Sequence, residues 1–167
     1  MIPANRQRNY LQSALYVIIA GILAAVLLER LLTYAEAAEK ATMEATLSQL
    51  QAGLYARLAY LVLKGEYESV EALPSQSPFV AANARSSHYL GEFDAVPGNV
   101  EGGRWLFNRG RDELVYVPNL TRYLTIDQGG WPPGVLRFRL EVIKASTSTY
   151  TGVALRPVVA YQWSPAP

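Results

Sequence analysis

Cysteine is absent from the 167-residue chain, so no disulfide framework, zinc-thiolate site or thiol nucleophile can be built. Histidine occurs once, as His88 beside Ser86 and Ser87. A metal centre would have to rely on carboxylates and water, and the Ser-Ser-His run lacks the orienting third group of a triad. His88 therefore reads as a surface-loop residue. A dominant charge sign is also missing: 15 Lys and Arg against 14 Asp and Glu leave a net charge of +1. With no basic face and no acidic tail, nucleic acid is not an expected partner. Glu66, Glu68 and Glu71 fit a solvated helix face better than a cation site. Gly102-Gly103 and Gly129-Gly130 lack the strand-to-helix setting of a phosphate loop and read as turns. No residue set supports catalysis, so the expectation is a non-enzyme without cofactor, metal or small-molecule substrate.

Long apolar runs are equally scarce, with one exception. Tyr10 to Leu28, YLQSALYVIIAGILAAVLL, carries no charge and as a helix covers about 29 Å, close to the hydrocarbon thickness of a bilayer. A buried helix of a soluble domain would show a polar face; here the polar side chains Tyr10, Gln12, Ser13 and Tyr16 cluster at the start. A cleaved secretory signal competes, since Arg6 and Arg8 supply a basic beginning. The run is too long for one, however, and the small residues Ala35 to Ala38 lie inside a segment that stays helical. The sequence thus predicts a retained single span at 10–28. Arg6, Arg8 and the amino terminus place residues 1–9 in the cytoplasm and 29–167 outside it.

From 29 to 64 the apolar residues Leu31, Leu32, Ala35, Ala38, Met43, Leu47, Leu50, Leu54, Leu58, Leu61 and Val62 recur at helical spacing. Glu36, Glu39, Lys40, Glu44, Ser48, Gln51 and Arg57 occupy the other faces, which predicts an amphipathic continuation of the span. Gly53 is its weak point and Gly65 its C-terminal cap. Residues 65–103 read as a long irregular segment, broken by Pro74, Pro78, Pro97 and Gly98, with a short helix near 66–73.

Strands follow. Residues 104–109 and 113–118 form a hairpin around Gly110-Arg111-Asp112, and 120–126 is a third candidate. Leu136, Phe138, Leu140 and Val142 alternate with Arg137, Arg139 and Glu141, giving a half-buried strand with a charged outer face. Val153, Leu155, Val159, Tyr161 and Trp163 form another alternating run, which Pro157 assigns to an edge. The expected fold is α+β: a long N-terminal helix, transmembrane then amphipathic, packed on an antiparallel sheet of about four strands in residues 65–167. Asp127 to Gly134, DQGGWPPG, presents Trp131 on a loop, so Asp127 and Trp131 form a candidate contact tip. Asn119-Leu120-Thr121 matches a glycosylation acceptor.

Ile18 to Val26, IIAGILAAV, resembles the N-terminal helix of type IV pilins and type II secretion pseudopilins, and the order of elements is similar over nearly the whole chain. The hairpin segment from Gly103 to Asn119 is similar to the first hairpin of minor members. Gln7 and Arg8 stand where the family carries its Gly-Phe processing site, and Gln12 where it carries a glutamate. The resemblance therefore implies an uncleaved, pilin-like accessory or minor subunit of the inner membrane, with a periplasmic outer domain. Its partners would be other pilins or pseudopilins and inner-membrane assembly proteins.

In that setting Gln12, Ala20, Gly21, Ala24 and Ala25 are the candidate helix-packing residues, because small side chains let helix backbones approach in lipid. The alternative is a bitopic, membrane-anchored extracytoplasmic binding or sensory domain unrelated to pili.

Overall fold

The computed structural model describes the backbone of residues 4–127, 134–146 and 149–165, and the side chains of 13–127, 134–145 and 150–165. Residues 4–64 contain no proline and form one α-helix, α1 (Ala4–Lys64), of 61 residues, about 90 Å long. Its end is chemically defined. Gly65 takes a left-handed φ of 72°, its N–H donates to the Val62 carbonyl at 3.1 Å, and the Glu66 N–H donates to the Leu61 carbonyl at 3.0 Å. That pair of bonds is a Schellman closure, for which glycine has no side-chain penalty.

Residues 65–103, expected as largely irregular, contain more structure than their prolines suggest. They form α2 (Tyr67–Glu71), a 3-10 turn (Leu73–Ser75), α3 (Pro78–Ala81) and a strand, β1 (Tyr89–Phe93). The short helices seat Val70, Leu73, Phe79 and Ala81 against α1 and the sheet.

Gly53 acquires a reason here. A Cβ on it would lie 2.7 Å from the Ala82 Cβ and 3.1 Å from the Ala82 carbonyl oxygen, so the glycine is where the end of α3 touches α1. Gly53→Val is expected to lower stability by about 1–3 kcal/mol through overpacking. Chemical denaturation of the soluble part measures it, and an unchanged midpoint would show that α3 does not press on this turn.

Among the described residues the strands number seven, not about four. They are β1, β2 (Arg104–Asn108), β3 (Glu113–Val117), β4 (Leu124–Ile126), β5 (Leu136–Ser146), β6 (Thr149–Pro157) and β7 (Tyr161–Trp163). Five form a sheet in the order β1-β2-β3-β5-β6, while β4 and β7 pair separately. All pairings are antiparallel except β1 with β2, which is parallel. The third candidate strand shrinks to Leu124–Ile126, and the run from 153 to 163 divides between β6 and β7. As Pro157 implied, β6 is an edge.

Two layers of core result. On the helix side, Met43 and Leu50 of α1 meet Trp105, Leu114, Tyr116, Leu136 and Phe138, while Leu54, Leu58 and Leu61 meet Leu140 and Val153. On the other side Leu106, Val115 and Val135 are covered by Phe93, Val96 and Val100, so the crossover between the parallel strands lies over that face.

The charged outer face expected for β5 holds at Arg139 and Glu141. Arg137, by contrast, is buried and pairs with buried Glu113 at 3.3 Å, while Arg139 reaches the same carboxylate at 2.9 Å.

Candidate functional site

The helix has two environments. From Ser13 to Leu32 every side chain is exposed, with Ile18 59%, Ile22 60% and Leu28 59% accessible. From Ser13 to Leu28 no side chain is buried among the described residues, and the length and composition of this stretch are compatible with a transmembrane helix. Ala20, Gly21, Ala24 and Ala25 are neighbours at helical spacing and form one small-residue patch among branched side chains. Outside its own helix turn, no described atom lies within 4 Å of where a Gly21 Cβ would sit, so no packing contact among the described residues requires glycine there. Gln12 belongs to α1, but its side chain is outside the described residues. Asp127 is exposed, and its N–H donates to the Ala160 carbonyl at 3.0 Å; Trp131 lies outside the described residues.

From Thr33 onward the helix is held to the domain, and the first groups to do so are polar. Glu36 and Glu39, read above as solvent-facing, instead grip the domain's lower edge. Glu36, 2% exposed, accepts the Tyr123 N–H at 2.8 Å and the Trp163 indole N–H at 2.9 Å through one oxygen. Glu39 accepts the Tyr116 hydroxyl at 2.9 Å and the N–H groups of Asn119 and Leu120 at 2.6 and 2.9 Å. Burial, reinforced by the carboxylate that takes its hydrogen bond, holds the Tyr116 hydroxyl well above the ordinary phenol range.

Below them Arg122 pairs with Glu29 at 3.1 Å, and the Thr33 and Tyr123 hydroxyls lie 3.3 Å apart. Further up, Gln51 donates to the Val153 carbonyl and accepts the Leu155 N–H at 2.9 Å, meeting two backbone groups of edge strand β6. One sequence signal foreshadows part of this joint. Glu36, Met43 and Leu50 recur every two turns and so share the face that packs on the sheet.

At the far end of the domain, Glu71 accepts the Lys144 ammonium at 2.8 Å and the Tyr150 hydroxyl at 3.2 Å, and Tyr67 stacks on Tyr150. The Lys144 hydrogen bond, with that of Tyr150, lowers the Glu71 carboxyl from its usual range, and the same contact raises Lys144. Glu71 is thus engaged in tying α2 to the β5–β6 hairpin.

His88 is exposed at the entrance to β1, on the wall of an open cleft of about 460 Å³ between α1 and residues 102–104 and 119–120. Among the described residues no three His, Cys, Asp or Glu side chains are grouped to hold a metal. Asn119 is exposed, and the close packing of its Cα on Gly102, where a Cβ would come within 2.5 Å, fixes this loop beside α1.

Comparison with protein-family models, with curated proteins and with solved structures finds no match for this chain. The class defined by the fold is an α+β protein in which one long helix supplies both an exposed apolar segment and the core helix of the outer domain. A functional reading rests on that geometry and on the residues themselves.

Proposed function

We propose that the protein is a single-pass inner-membrane protein, N-terminus in the cytoplasm and domain in the periplasm, acting as a pilin-like accessory or minor subunit of a type IV pilus or type II secretion assembly. The observation that carries the reading is the continuity of α1: one 61-residue helix runs from a bare apolar segment into the domain core. A helix packing laterally through Ala20, Gly21, Ala24 and Ala25 would carry its domain with it as a rigid body. The resemblance of residues 18–26 to pilin helices, and the helix-on-sheet arrangement, support the same reading. The function is then one of packing, not catalysis. The cleft beside His88 favours the alternative, a membrane-anchored binding domain, by offering a concave surface with mixed polar lining.

Gly21→Leu separates the two. It adds bulk at the small-residue patch without lowering hydrophobicity, so recruitment of partners should fall to background while membrane insertion and domain folding stay intact. Pull-down of the intact protein from membranes, with identification of what accompanies it, measures this. Wild-type recovery of the same partners would leave the helix a tether only.

A further inference from the structure

We propose that the Arg122 and Tyr123 side chains, hanging from the 119–123 loop of the outer domain, reach the phospholipid headgroup layer, so that lipid headgroups are a direct partner of the folded domain. The inference rests on the span proposed above and goes beyond it. No linker separates the apolar run from the domain, because α1 is unbroken and the domain contacts it from Glu29 and Thr33 onward.

Heights along the helix make the case. Leu28 ends the charge-free run, and at 1.5 Å per residue Glu29 stands about 1.5 Å, Thr33 about 7.5 Å and Glu36 about 12 Å above it. The headgroup region adds only about 5–7 Å to each side of the hydrocarbon. Arg122 is bonded to Glu29 at 3.1 Å and the Tyr123 hydroxyl lies 3.3 Å from Thr33, so these two side-chain tips occupy that height. The loop backbone stands above it, bonded to Glu36 and Glu39 at about 12–16.5 Å above Leu28, and so keeps the two side chains pointed down to the bilayer surface.

The chemistry at this level suits an interface. Arg122 is 56% exposed along its side chain and its guanidinium sits 5.5 Å from the Tyr123 ring centre. Arg30 is exposed and has no ion pair among the described residues, and Leu31, Leu32 and Tyr34 are exposed beside it. Arginine and tyrosine flanking aliphatic residues match the polar-over-apolar gradient of a bilayer surface.

The absence of cysteine allows site-specific labelling of the full chain. A fluorophore is placed singly at Thr121→Cys, at Gln76→Cys on the far end of the domain, and at Ile22→Cys, in vesicles of phosphatidylglycerol and phosphatidylethanolamine. Nitroxides are carried on either the headgroup or the acyl chain. The expected result is that headgroup nitroxide removes most of the Thr121 signal and none of the Gln76 signal, while acyl-chain nitroxide quenches Ile22.

Quenching at Ile22, with Thr121 as insensitive to the headgroup probe as Gln76, overturns the proposal and leaves the span standing. An Ile22 label open to a water-soluble quencher overturns the span, and the proposal falls with it. A thermal melt of each labelled protein matching wild type secures the comparison.

Discussion

A soluble chain that begins after residue 64 should aggregate, whereas one that begins at about Thr33 should fold and remain in solution. The difference is the outer half of α1. Met43, Leu50, Leu54, Leu58 and Leu61 are each 5% exposed or less, and they close both clusters on the helix side of the sheet. Burial of a side chain of this size contributes about 1.5–3 kcal/mol, so five such losses, about 7.5–15 kcal/mol, are as large as the whole stability of an ordinary domain, about 5–15 kcal/mol. The strands would then present Trp105, Leu114, Tyr116, Phe138 and Leu140 to water as one patch. Size-exclusion chromatography with a thermal melt decides the matter. A monomeric, cooperatively melting chain without residues 33–64 would refute the helix-on-sheet core. Within the longer chain, Leu54→Ala should cost about 2–5 kcal/mol, since Leu54 is fully buried.

Glu36→Ala should destabilise that soluble chain by about 2–6 kcal/mol, because it strands two donors, the part-buried Tyr123 N–H and the buried Trp163 indole N–H, at about 1–3 kcal/mol each. Glu36→Gln keeps a carbonyl oxygen in the same place and should cost no more than about 1 kcal/mol. Denaturant titration of the two variants gives the contrast, and Trp163 fluorescence reports whether its surroundings loosen. Equal losses for Ala and Gln would mean that the charge, not the accepted hydrogen bonds, holds the joint.

The parts of this architecture legible in sequence are those with local causes. The helix follows from spacing, its stop from Gly65, the β2–β3 hairpin from two apolar runs around Gly110, and the β6 edge from Pro157. What escaped depends on distant partners. β1 is a five-residue strand containing Gly91, and its parallel partner lies beyond a Pro- and Gly-containing crossover, so neither alternation nor a tight turn announces it. Periodicity sorts Glu36, Glu39 and Gln51 outward because they are polar. Most of their partners are backbone groups of loop 119–123 and strand β6, which a helical pattern does not specify even where, as for Glu36, it gives the face that packs on the sheet. For the candidate site, the small-residue patch could be found from sequence alone, while the polar joint that makes helix and domain one body could not.

The separation in sequence across that joint also governs the order of events during synthesis. Gln51 waits for Val153, 102 residues later, and Glu36 for Trp163, 127 residues later. At about 5–20 residues per second, the finished helix spends roughly 5–20 s before its last partners emerge. Throughout that interval Glu36 lacks the Trp163 indole and the joint stays incomplete. Folding of the domain is therefore a late, C-terminus-dependent closure onto a pre-formed rod, a topology of high contact order in which chains ending before β7 cannot complete the joint.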